Sequence, residues 1–209
     1  MNIFEHSEST AAPRNSVEKF TRSQVLVKIP CISSTVCILK LKGGLWNARS
    51  LNGKGGGLAA PLAEHKLDFR FLTETWLKRQ LDPVVPYILA SVSGYSFYSQ
   101  PRAQRRGGGV GIFTRSNLLF AGKVVHSYKS FECLELCLRA NSELLRVVVI
   151  YRPPSAPSVK KSDILSEFSS VLEVRITQPG YLIVDGDLNF HLDNVNSMAK
   201  LLNVSFHMG

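Results

Sequence analysis

Between residues 95 and 151 five short apolar segments follow one another, at 95–99, 109–114, 118–125, 131–139 and 144–151. Turn signals separate them, and short strands in such close succession indicate antiparallel pairing. Arg152-Pro153-Pro154 breaks the last of them. On either side the rhythm is α/β. A short strand ends at Leu45-Trp46, and a buried strand reads at 69–73. A helix reads at 162–174, with Ile164, Leu165, Phe168, Val171 and Leu172 at helical spacing and Ser162 as its cap. A further buried strand at 181–184 runs into Asp185-Gly186-Asp187-Leu188-Asn189. The pattern also predicts a poor helix at 58–66, weakened by Pro61 and the glycines before it, a short helix near 84–90 and a last helix at 196–202.

A chain of 209 residues has room for one domain, with or without a short arm. Hydrophobic residues at 44% and charged residues at 20% exclude wholesale disorder. Residues 1–40 are polar and show no clean period, so they read as a poorly ordered N-terminal arm, with 41–209 as the domain. Glu5 and Glu8 and the lack of an apolar core exclude a secretory signal at the start. The most apolar early stretch, 29–41, is interrupted by Pro30, Ser33, Ser34, Thr35 and Lys40 and falls short of the roughly 20 residues of a membrane span. Cys31, Cys37, Cys133 and Cys137 form no CxxC pair, which argues against a disulfide scaffold or zinc site and for a reducing compartment. The expectation is a soluble intracellular protein with no membrane contact and no stable protein partner.

The net charge is +9. From residue 78 to 115 six bases (Lys78, Arg79, Arg102, Arg105, Arg106, Arg115) face one acid, Asp82. Such a window suits a polyanion, or forms a solvated face. Three segments place a carboxylate or amide at the end of an apolar strand: Trp46-Asn47-Ala48-Arg49-Ser50, Thr73-Glu74-Thr75-Trp76 and Gly186-Asp187-Leu188-Asn189. Site residues gather at strand ends in α/β sheets because the scaffold fixes their direction. Oxygen ligands without convergent Cys or His suit a hard cation such as magnesium, which in turn suits phosphate chemistry.

Those segments, in order with Leu67-Asp68-Phe69, Leu72-Thr73-Glu74-Thr75-Trp76-Leu77, Arg106-Gly107-Gly108-Gly109-Val110, Ile150-Tyr151-Arg152-Pro153-Pro154 and Gly186-Asp187-Leu188-Asn189-Phe190-His191, resemble the endonuclease domain of LINE-type (non-LTR) retrotransposons. That domain belongs to the endonuclease/exonuclease/phosphatase superfamily, and the likeness covers about residues 41–205. It implies an α/β, deoxyribonuclease-I-like four-layer sandwich: two β-sheets face to face, flanked by helices. It implies a nuclear, magnesium-dependent DNA endonuclease, with manganese as a substitute metal. Glu74 then resembles the metal-binding glutamate and Asn47 the amide beside it. Tyr151 matches the tyrosine near the scissile phosphate, Asp187 the aspartate that orients or deprotonates the attacking water, and Asn189 the amide that holds the phosphate. Arg102, Arg105 and Arg106 are expected to contact DNA, and Gly107 to Gly109 to allow a bend entering a strand. His191 reads as a local structural histidine.

The sequence departs from the family pattern in several places. No Ser-Asp-His motif follows Asn189, so the expectation is a domain missing its last strands and impaired in catalysis. Arg70 lies inside a buried strand, where an unpaired charge is expensive. Asp185 stands where a small or apolar residue is expected; by alternation it shares a face with Asp187 and either approaches the metal or stabilises a turn. Competing readings are a phosphatase or phospholipid phosphodiesterase of the same superfamily, a non-catalytic nucleic-acid-binding fragment, and an element remnant without a stable fold.

Overall fold

A computed structural model describes residues 20–29, 37–52, 54, 62–78, 85, 92–102, 107–140, 143–154, 159–189 and 204–208. Among the described residues, ten strands form two five-stranded sheets. The first sheet has the order β1-β2-β3-β5-β4, from β1 (Phe20–Ile29), β2 (Cys37–Asn47), β3 (Phe69–Thr73), β4 (Tyr95–Gln100) and β5 (Val110–Arg115). The second runs β10-β9-β8-β7-β6, from β6 (Leu119–Ser127), β7 (Glu132–Ala140), β8 (Glu143–Tyr151), β9 (Gly180–Asp187) and β10 (Val204–Met208). Both sheets are mixed: β2 with β3 and β8 with β9 are parallel, and every other pair is antiparallel.

The sheets pack face to face, with β3 over β8 and β9 and β5 over β7 and β8. Alternate residues build the layer between them: Leu41, Phe69, Phe71, Val110 and Ile112 from one sheet, Leu134, Leu136, Leu138, Val147, Val149 and Ile183 from the other. The even-numbered residues of β8 and β9 point outward, and there Val148, Ile150, Leu182 and Val184 are covered by α1 (Lys161–Ile176) through Ile164, Phe168 and Val171. Coverage on both faces explains why β8 reads as an unbroken Val/Ile run rather than an alternation. The outer face of the first sheet carries Trp46, Leu72 and Phe113 under Leu51, Leu62 and Leu77. Among the described residues, no helix is long and apolar enough to cross a membrane.

Several sequence expectations shift. Where a poorly ordered arm is expected, β1 pairs with β2 along ten residues and extends the first sheet's edge. The strand expected to end at Trp46 is eleven residues long. Its Lys40, Lys42, Gly43 and Gly44 obscure the period, because a near-edge strand needs little apolar alternation. Of the helix expected at 58–66, residues 62–64 are helical and 55–61 lie outside the described residues, as do the helix at 196–202, His191 and most of 84–90. Ser162 does not cap α1: the N-cap is Lys160, and the Ser162 hydroxyl donates to Asp163 at 3.1 Å one position on. The strand expected at 181–184 is longer: β9 runs from Gly180 through Asp187. Arg70 is buried, with Cζ 4.5 Å over the Trp46 ring, a cation–π placement that offsets part of its desolvation. Cys133 and Cys137 share one face of β7 as free thiols, and burial raises the Cys133 pKa to about 12.

Candidate active site

The inner-face periodicity of each central strand continues past the apolar core into polar residues at one end of the sandwich. In β2 the step from Leu45 leads to Asn47, and in β7 the step back from Leu134 leads to Glu132. In β8 the step from Val149 leads to Tyr151, and in β9 the steps from Ile183 lead to Asp185 and Asp187. Register then sets them side by side: Tyr151 pairs with Asp187 on one flank and Glu132 on the other, and Asn47 with Thr73, just before Glu74. The parallel pairs β2/β3 and β8/β9 deliver their C-terminal ends to this edge together.

Three of the anticipated residues meet directly. Glu74 Oε1 accepts a hydrogen bond from Asn47 Nδ2 at 2.7 Å and another from the Tyr151 hydroxyl at 3.0 Å. Burial and the adjacent Glu74 carboxylate raise the Tyr151 pKa, so the phenol stays protonated and donates. Glu74 Oε2 accepts no hydrogen bond among the described residues. Asp187 Oδ1 accepts from the Asn189 backbone N–H at 2.9 Å, an Asx turn, and Asn189 Nδ2 donates to the Arg152 carbonyl at 2.7 Å. Both residues are thus held at the end of β9, next to Tyr151.

The backbone around Glu74 is clamped from two sides. Ser50 and Leu51 donate to the carbonyls of Glu74 and Thr75 at 2.8 and 3.0 Å, and the N–H groups of Thr75 and Trp76 donate to the Gly109 and Gly108 carbonyls at 3.1 and 2.8 Å. Among the described residues six non-glycine residues have positive φ, and five of them border this site: Arg49, Ser50, Glu74, Trp76 and Asn189. Strain concentrated in this way is common where geometry serves a function. Gly186 is required for a packing reason, since a Cβ there would overlap the Ile150 carbonyl of the neighbouring strand.

Arg102 stands differently from its expected place on an open basic patch. Its guanidinium pairs with Glu132 and lies 5.9 Å over the Tyr151 ring. Glu132 Oε2 also accepts from the Gly109 N–H at 2.6 Å, and burial, with Glu74 adding repulsion, raises its pKa. Arg115 pairs with Asp68 at 3.2 Å, while Arg105 and Arg106 lie outside the described residues. Glu132 was not anticipated, although a signal existed: it is in phase with Leu134, Leu136 and Leu138. Asp185 is buried in the inner layer, its Oδ1 accepting from the Gly186 N–H at 2.8 Å, and burial lifts its pKa to about 7.

Among the described residues no group of three His, Cys, Asp or Glu side chains forms a ready metal cage. The donors present are oxygen only: Glu74 Oε2, the Asn47 amide and the Asp187 carboxylate. Such a set fits magnesium, which keeps most of its waters and takes one or two protein carboxylates. It does not fit zinc.

Residues 44–199 match the model of the Endonuclease/Exonuclease/phosphatase family. No curated protein matches the chain. Among solved structures, a humanized D. rerio TDP2 is similar over 72% of this chain and 63% of its own, at 20% identity and a TM-score of 0.57. A mannosyl-6-phosphatase from Bacteroides thetaiotaomicron is similar over 71% of this chain and 65% of its own, at 13% identity and a TM-score of 0.58. A Bacteroides thetaiotaomicron endonuclease/exonuclease/phosphatase family protein gives 74%, 66%, 13% and 0.59. The chain thus spans just under two-thirds of the length of these structures. At such identities the likeness is one of fold, the deoxyribonuclease-I-like sandwich of two mixed sheets. With the family model covering most of its length, the chain belongs to the endonuclease/exonuclease/phosphatase family.

Proposed function

We propose that the chain is a magnesium-dependent DNA endonuclease unit of LINE-type retrotransposon descent, with its site residues all within 41–209 and β1 completing the first sheet. The observation that carries this is the Asn47–Glu74–Tyr151 hydrogen-bonded cluster beside Asp187. Family members are typically phosphodiesterase or nuclease enzymes and commonly use divalent metals. D. rerio TDP2, solved with a single-stranded DNA product, supports a nucleic-acid substrate. The Thr-Glu-Thr-Trp-Leu, Tyr-Arg-Pro-Pro and Gly-Asp-Leu-Asn-Phe-His sequences support the retroelement branch and, with it, a nuclear setting.

In this reading Glu74 Oε2 and the Asn47 amide hold the metal. When bound, magnesium neutralises charge developing on the phosphate and the leaving oxygen. Asp187, fixed by its Asx turn, orients the attacking water and takes its proton. Asn189 steadies the phosphate, and Tyr151 and Arg102 face it from β8 and the loop after β4. Arg105 and Arg106 are assigned to phosphates of the DNA backbone.

Nicking of supercoiled plasmid tests this. The Ser-Asp-His sequence of the family is not among these 209 residues, and loss of one positioned acid–base group lowers rates by about 10²–10⁴. Slow, magnesium-dependent nicking that disappears in Asp187→Ala is expected. Nicking that survives Asp187→Ala refutes the assignment; hydrolysis of phosphomonoesters without nicking favours a phosphatase.

A further inference from the structure

The chain has two tryptophans with opposite fates. Trp46 is 1% exposed in the outer core, whereas Trp76, two residues after Glu74, is 45% exposed. Trp76 has φ +55, a left-handed backbone that bulky residues adopt rarely and at a cost. Burial of the ring does not offset that strain. The conformation is held instead by the hydrogen bond from the Trp76 N–H to the Gly108 carbonyl, so the indole is fixed outward rather than tucked in.

Its surroundings define a rim. A Cβ at Gly107 would lie 3.6 Å from the indole Nε1, and one at Gly108 would overlap the Arg102 guanidinium. The glycine run therefore lies between the indole and Arg102, which in turn lies over the Tyr151 ring, whose hydroxyl reaches Glu74. A flat aromatic surface stands one short step from the phosphate-facing residues.

Resting on the reading above, we propose that Trp76 is a stacking platform for an unpaired nucleobase flanking the scissile phosphate. The substrate is then locally single-stranded DNA rather than a sugar phosphate, which offers no aromatic face. Stacking is tolerant of base identity because every base has a π-face. Arg102 and the indole together fix the phosphate and the neighbouring base, the two groups that define a nucleotide.

The test is binding of a short oligothymidylate, and of the same strand carrying abasic sites, in the Asp187→Ala background with magnesium, read by tryptophan fluorescence and anisotropy. Trp46 is buried, so quenching reports Trp76. The base-bearing strand should quench emission and bind wild-type Trp76 about 5- to 150-fold more tightly than Trp76→Ala. Trp76→Phe should retain most of that affinity, and the abasic strand should bind all three proteins with equal weakness. Unaltered circular dichroism and Trp46 emission show that the variants are folded. If Trp76→Ala binds the base-bearing strand as tightly as wild type while Asp187-dependent nicking persists, the platform is wrong and the nuclease reading stands. If no strand binds and no nicking occurs, both fall.

Discussion

Two glutamates each gather two side chains onto one carboxylate oxygen, yet their surroundings differ in kind. Glu135, on the outer face of β7, receives Arg175 Nε at 2.7 Å and Nη2 at 2.6 Å on Oε2, with His126 Nε2 at 3.0 Å. Arg175 also donates to the Val171 carbonyl at 2.7 Å, and both members of the pair are buried, with Arg175 in the last turn of α1. Its charge is cancelled on the spot. Glu74 receives only neutral donors, an amide and a phenol, and no cation pairs with it among the described residues. Glu132 repels it and Asp187 stands nearby, while Arg102 is paired with Glu132. The fold cancels the Glu135 charge, whereas on the proposed reading Glu74 keeps one oxygen for a cation.

Separating the members of each cluster should therefore have unequal consequences for stability. The largest loss is expected from Arg175→Met, which strands Glu135 as a buried charge: about 3–5 kcal/mol, measured as a lower urea midpoint. The double variant Arg175→Met/Glu135→Leu should recover most of it. A loss below about 1 kcal/mol in the single variant would mean that the buried pair does not hold α1 to the sheet.

Asp185 sharpens the comparison through pH. Its folded pKa of about 7 lies above the ordinary carboxylate value because of burial, so the folded state binds more protons than the unfolded state between the two values. Stability is therefore highest at low pH on this account. It declines as pH rises from about 4 to 7, by on the order of 4 kcal/mol in total. Asp185→Asn, which keeps an acceptor for the Gly186 N–H, should flatten that slope in chelator and raise stability at pH 8. An unchanged profile would place the titration elsewhere.

The smallest effect is expected at Glu74. Glu74→Gln keeps an oxygen for Asn47 and Tyr151 and removes repulsion with Glu132, so stability should stay level or rise by up to about 1 kcal/mol. Loss of several kcal/mol would make Glu74 structural and erase the distinction from Glu135.

Much of this was legible in the residues. The strand at 69–73 was readable because Phe69, Phe71 and Leu72 dominate a short run, and the end of β8 at Tyr151 because Arg152-Pro153-Pro154 breaks it. Glu132 was not seen because a carboxylate at the start of an alternating strand looks like a solvent-facing end; only its phase with Leu134 betrays it. Arg102 reads as part of a basic patch because its partner lies thirty residues away, and sequence spacing carries no information about that pairing. The β1–β2 hairpin was hidden for a different reason. It pairs along ten residues at the sheet edge, and the polar and glycine residues of 40–44 blur the apolar alternation there.

On the proposed reading Glu74 keeps a carboxylate oxygen open for a metal. Calorimetric titration of the folded chain with magnesium and manganese, beside Glu74→Gln, tests it most directly. Weak binding by the wild-type chain that vanishes in a folded Glu74→Gln variant is the predicted result. Equal heats from the two proteins would remove Glu74 from the metal site and contradict the account.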